Sequence, residues 1–199
     1  MAGNSQLGEG IRGGRMRITL CDVQPDIVDA WRRYLPQKLE GRVEVLRESI
    51  IHVKVDAVTS PANSFGFMDG GLDALYTQYY GPQLQQHLQR MIREKADGEL
   101  LVGQALQVET GYPPVPWCIC APTMRVPRAL ETAEPAYLAT RAAVRCALLA
   151  GLNSLAIPGM GTGTGGLHPQ RAARAMMHAI HDALFPRPFP TSLAEVYAF

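Results

Sequence analysis

Eight residues, Gly159-Met160-Gly161-Thr162-Gly163-Thr164-Gly165-Gly166, place five glycines between a strand-like run and a helical one. Glycine permits positive φ angles and lets another molecule approach the backbone closely. The N–H groups of such a loop can converge on an anion, helped by the positive end of the helix that follows. Thr162 and Thr164 add hydroxyl donors. The chemistry implied is a cradle for phosphate. A second loop, residues 63–73, carries more individual polar groups. Asn63 offers donors and an acceptor suited to sugar hydroxyls. Asp73 stands in the first turn of an expected helix, where an acid commonly serves the helix dipole. Asp69 adds another carboxylate, expected to face a sugar or solvent because it would oppose a phosphate.

Two familiar phosphate folds fit poorly. Gly161-x-Gly163-x-x-Gly166 has the form of a dinucleotide fingerprint, but that fingerprint opens a βαβ unit with an acid about 20 residues later. Here the next acid, Asp182, falls inside an expected helix. No Gly-Lys-Ser/Thr is present, which excludes a triphosphate P-loop. The histidines at 52, 87, 168, 178 and 181 show no metal-ligand spacing, and the cysteines at 21, 118, 120 and 146 read as small thiols of a reducing compartment. No metal and no cofactor is expected. Lesser candidates are His168 beside the phosphate loop, Arg125 at the end of a strand, and Tyr197 or Phe199 as rings that could stack on a base.

The elements that must position these residues alternate along the chain. Strands are expected at 16–21, 43–46, 53–59, 104–109, 117–121 and 154–158, from alternating or β-branched runs. Helices are expected from Pro25, from about residue 72, from Pro82, at 135–150 and at 169–184, with prolines at their starts and Gly151 closing the fourth. A last strand is expected at 194–199. Residues 1–14, rich in Gly, Ser and Asn, read as a flexible extension, and 15–199 as one domain. Alternating strands and helices predict a layered α/β sheet, whose ligands sit beyond the carboxyl ends of the strands. Both Gly-rich loops follow strands and precede helices, so they belong at one rim.

Composition narrows the function classes. A formal charge of +1 across 199 residues argues against a protein devoted to gripping nucleic-acid backbone. Apolar runs are broken well before the roughly 20 residues a bilayer requires, and the N-terminus lacks the apolar stretch of a signal peptide. A cytoplasmic monomer without membrane contact is the expectation.

Val55-Asp56-Ala57-Val58-Thr59-Ser60-Pro61-Ala62-Asn63-Ser64, followed by Gly70-Gly71-Leu72-Asp73, resembles the macro domain pattern of V-D-A running into N-A-A-N and a loop ending G-G-V-D. Pro158 and the glycines after it resemble that family's second signature. The resemblance spans roughly residues 43–184. It implies a three-layer α/β/α fold with a mixed sheet of about six strands, and binding of ADP-ribose or of an ADP-ribosylated protein or nucleic-acid end. It also implies that Gly159, Gly161, Thr162, Gly163, Thr164, Gly165 and Gly166 hold the diphosphate. Ala62, Asn63, Gly70 and Gly71 would meet the distal ribose, and Ser49 and Ile50 the base. In the hydrolytic, MacroD-type branch an Asn and an Asp ten positions later form the catalytic pair, an interval that Asn63 and Asp73 keep. The alternative is a non-catalytic reader.

Three positions depart from the family pattern. Ser49, in Glu48-Ser49-Ile50, stands where the family's base-reading acid belongs, with Glu48 one residue away. Ser60-Pro61 replaces the first Asn-Ala. Thr164 and Gly165 replace bulky residues over the diphosphate, leaving Phe65, Phe67 or Met68 of the first loop to close the site.

Overall fold

The structure is a computed structural model that describes residues 16–197; the extension expected at 1–14 and the ring of Phe199 lie outside the described residues. β1 (Arg17–Cys21) is buried from Ile18 onward and β3 (Ala57–Ser60) throughout, as strands are when both faces of their sheet are covered. With β2 (Val43–Leu46), β4 (Leu106–Glu109), β5 (Trp117–Cys120) and β6 (Ser154–Ile157) they form one sheet in the order β2-β1-β6-β3-β5-β4. All neighbours are parallel except β4, which runs antiparallel to β5.

Alternate residues of each strand feed two separate cores. Ile18, Leu20, Ala57, Ile119, Leu155 and Ile157 face α1 (Pro25–Tyr34), α4 (Glu134–Leu149) and α5 (Pro169–Leu184). On that side Ala136, Ala139, Ala143 and Ala147 meet Ala172 and Ala173, small residues that let helices approach closely. Val58, Cys118, Cys120 and Ala156 face α2 (Gly71–Tyr80) and α3 (Gln83–Lys95) on the other side. There Leu84, Leu88 and Ile92 line one side of α3 and are buried, each worth about 2 kcal/mol relative to exposure. The architecture is three-layer α/β/α with a six-stranded mixed sheet.

The helix between residues 71 and 95 breaks at Gly81, whose φ of +94° ends α2 in a conformation other residues avoid. Some boundaries differ from the sequence reading. β3 starts at Ala57 rather than at 53 because Asp56 is held by side-chain bonds, its carboxylate accepting from the N–H of Asn153 (2.7 Å) and Ser154 (3.1 Å). It ends at Ser60, with Asn63 making one isolated bridge to Met124. The strand expected at 194–199 is instead a short helix, α6 (Leu193–Val196). Ser192 Oγ accepts from Glu195 N–H at 3.3 Å, and the Glu195 carboxylate accepts from Thr191 N–H at 2.7 Å. This Ser-x-x-Glu spacing is a helix-start signature. No helix of the described residues is long and apolar enough to cross a membrane.

Candidate functional site

Because β1, β3, β5 and β6 are parallel, their carboxyl ends share one rim. A cleft of about 830 Å³ opens there, a size suited to a small ligand. Loops after all four strands line it, along with Glu48, Ser49 and Ile50 after β2.

The loop after β6 keeps its shape through glycine. Gly161 has φ +78°, and a Cβ on Gly165 would stand 2.5 Å from the Gly161 carbonyl oxygen and 2.9 Å from Leu130 Cδ1. Leu130 props the loop from beneath, its N–H donating to Gly165 O at 2.8 Å. Among the described residues, the N–H groups of Gly161, Gly163, Thr164 and Gly165 donate to no protein acceptor, and these residues line the cleft. Pro169, at the start of α5, lines it as well, so the positive end of that helix faces the same space. No Lys or Arg is among the described lining residues. An anion would therefore be met by backbone dipoles rather than a cation.

Three members of this loop play different parts from those expected. The Thr162 hydroxyl donates to Gly159 O at 2.9 Å, so its proton is already used. Gly166 does not line the cleft, and its N–H closes a turn onto Gly163 O at 2.9 Å. Gly159 lines the cleft, but its N–H donates to Asp22 Oδ2 at 3.1 Å.

The first loop brings Ala62, Asn63, Gly70, Gly71 and Asp73 to the cleft. The Asn63 amide is largely engaged within its own loop. Its Oδ1 accepts from Phe65 N–H (3.1 Å) and Phe67 N–H (3.3 Å), and its Nδ2 donates to Phe67 O at 2.8 Å. One N–H remains for another partner. Asp73, expected in a first helical turn and, by the resemblance, as half of a catalytic pair, is 8% exposed. Its Oδ1 accepts from Ser60 Oγ at 2.5 Å. Burial pushes its carboxyl up to about 7, against the pull of the Ser60 hydrogen bond, and the nearby charge of Asp69 raises it further. Such a group is half ionised near neutrality, which suits proton transfer to and from water. Asp69 is exposed and lines the cleft.

At the opposite end, Ser49 and Ile50 line the cleft. Glu48 does too, but its carboxylate turns onto its own chain segment. It accepts from Ser49 N–H at 2.8 Å and pairs with His52 Nδ1 at 3.1 Å, contacts that hold its carboxyl below the ordinary value. Asp22 stands nearer the glycine loop, at the end of β1.

Sequence reasoning missed Ser60, Asp22, Thr123, Met124 and Pro127. Ser60 was noted only as a lost Asn, although its place at the end of a fully buried strand, one residue before a proline, put it beside Asp73. Thr123, Met124 and Pro127 follow the parallel β5 and reach the rim for that reason alone. Three lesser candidates take other roles. His168 caps α5, its Nδ1 accepting from Gln170 N–H at 3.3 Å. Arg125 forms an ion pair with Glu99, at 2.7 and 3.2 Å. Tyr197 follows α6 rather than lying in a strand, and it is exposed.

The comparisons agree with this architecture. Residues 59–176 match the family model for the macro domain, and the chain belongs to that family. An uncharacterised protein of Aquifex aeolicus is 37% identical over 138 residues, covering 69% of this chain and 80% of its own length. An uncharacterised protein of Aeropyrum pernix is 34% identical over 137 residues, 68% of this chain and 69% of that protein. Among solved structures, a Gly→Val variant of the Oceanobacillus iheyensis macrodomain with ADP-ribose superposes with TM-score 0.62 at 20% identity. That match covers 71% of this chain and 77% of the other. The macrodomain of Mycobacterium tuberculosis DarG gives 0.59 at 20% identity, covering 68% and 87%. At such identities the likeness establishes the fold.

Proposed function

We propose that this chain binds ADP-ribose in the rim cleft and hydrolyses the ester linkage of mono-ADP-ribosylated substrates. The observation that carries the reading is Asp73, a buried carboxyl lining the cleft with its ionisation held near neutrality. Binding draws support from the O. iheyensis macrodomain, solved both with ADP-ribose and with ADP. Two further structures of that protein are alanine variants of an Asn and an Asp separated by the interval between Asn63 and Asp73.

In this reading the free N–H groups of the glycine loop hold the diphosphate, and Gly70 and Gly71 let the distal ribose lie against backbone. Ionised Asp73 accepts a proton from a water as that water's oxygen bonds to the anomeric carbon. The bond from that carbon to the acyl oxygen breaks, and the electron pair leaves with the target's carboxylate. The substrate is a modified acidic side chain, with a modified nucleic-acid end as the other source of the same sugar.

One observation favours a second reading, that of a reader without turnover: Asn63 has little hydrogen-bonding capacity left for a substrate. Release of ADP-ribose from an ester-linked, automodified protein, measured beside calorimetric binding, separates the two. Wild type is expected to turn over at a rate that rises with pH through about 7, and Asp73→Ala to lose at least about two orders of magnitude. Equal background release by both proteins would sink the hydrolase reading. Binding without turnover leaves the reader, and no heat with ADP-ribose ends both.

A further inference from the structure

Residues 65–68 of the first loop are fastened one after another. The Phe65 carbonyl accepts from Gln89 Nε2 at 3.4 Å, and the Arg125 guanidinium lies 5.3 Å from the Phe65 ring centre. Gly66 has φ +69°, and a Cβ there would fall 2.9 Å from side-chain carbons of Leu88 and Ile92, so the loop lies directly on α3. Met68 is wholly buried; its N–H donates to Gln85 Oε1 at 2.6 Å and its carbonyl accepts from Thr77 Oγ1 at 2.8 Å. Between these anchors, both polar backbone groups of Phe67 are gripped by the single amide of Asn63. Phe67 nevertheless remains 54% exposed and lines the cleft.

The exposed side chain of Phe67 offers apolar area on a fixed backbone, and covering such area is favourable. Here the fixation has a use. A ring whose backbone cannot move loses little conformational freedom when a ligand settles against it. Its place in the chain selects the part of the ligand. Phe67 lies between Asn63 and Asp69 on the loop that leads to Asp73, whereas Asp22 and Ser49 follow other strands. The glycine loop lines the cleft with glycines, Thr162 and Thr164, none of which carries a ring to cover a sugar.

We infer that the Phe67 ring is the platform for the ligand's second ribose, whose C–H face packs on it, and that this contact sets a preference for ADP-ribose over ADP. Asn63 then acts as a positioning residue through the Phe67 backbone. The inference rests on the ADP-ribose reading above. Calorimetric titration of the full chain with ADP-ribose and with ADP tests it, using wild type, Phe67→Ala and Phe67→Trp. Phe67→Ala is expected to weaken ADP-ribose binding about tenfold, a loss within reach of one aromatic contact, and to leave ADP within about twofold. Phe67→Trp is expected to keep the wild-type preference. Equal weakening of both ligands by Phe67→Ala, or weakening of neither, overturns the inference while the ADP-ribose reading stands. A fall in the ligand-free Tm would show that the ring packs on protein and overturns it too. Wild type that binds neither nucleotide removes the underlying reading, and the inference with it.

Discussion

Ser60 donates to Asp73 from the strand beneath it, and the two side chains work as one unit. Burial favours the neutral carboxyl, whereas the hydroxyl favours the charged one. Removing the hydroxyl should let burial act unopposed. Ser60→Ala is therefore expected to move the pH midpoint of the proposed hydrolysis upward by about one unit, given the strength of a hydrogen bond to a charged group. An unmoved midpoint in rate-against-pH curves would mean that Asp73 does not govern the rate. Asn63 shows what the sequence conceals at this scale. Its residue type suggested contact with a sugar, and its position at the cleft agrees. The destination of its amide depended on how residues 65–67 fold back on it, which no spacing rule describes.

Among the elements, the loop after β6 depends on glycine most directly. A methyl on Gly165 would press against the Gly161 carbonyl, a backbone atom that cannot move without carrying the turn with it. Gly165→Ala is expected to lower ADP-ribose affinity at least about tenfold with little change in helix content, measured by calorimetry and circular dichroism. Retained affinity would show that the cradle tolerates displacement of its N–H groups. This loop was legible because five glycines between a strand and a helix have few other uses, and α5 was legible because Pro169 starts it and Phe185-Pro186 stop it. The final helix α6 was misread as a strand: its valine and aromatics suggested β structure, while the Ser192–Glu195 start signal spans only one turn. The ends of β3 were blurred by Asp56, whose side chain replaces ladder bonds with contacts to residues 153 and 154.

At the scale of the whole molecule, the buried acid of the site weighs on stability. In the unfolded chain the Asp73 carboxyl titrates near 3.8, and in the folded protein near 7. The folded state holds its proton more tightly, so the associated stability is complete below pH 4 and is lost as pH rises to 7. Asp73→Asn keeps an acceptor for Ser60 without the ionisation. Its Tm is expected to exceed the wild-type value increasingly between pH 4 and 7, then at a constant margin above pH 8. The margin corresponds to at most a few kcal/mol, or several degrees. A difference in Tm that does not vary with pH would show that the carboxyl is not held neutral by the fold.

β1 sits inside the sheet, between β2 and β6, and its partner strand β6 arrives very late in the sequence. The contact between Asp22 and Gly159 joins positions 137 apart, and the bond from Trp31 Nε1 to Met176 Sδ joins positions 145 apart. Pairings of such range form slowly, since a long loop must close before they return any energy. During synthesis β1 therefore stays without one of its two neighbours until β6 has emerged. The cleft at the rim is complete only once β6 and the loop after it are in place, because Gly159–Gly165 form one of its walls.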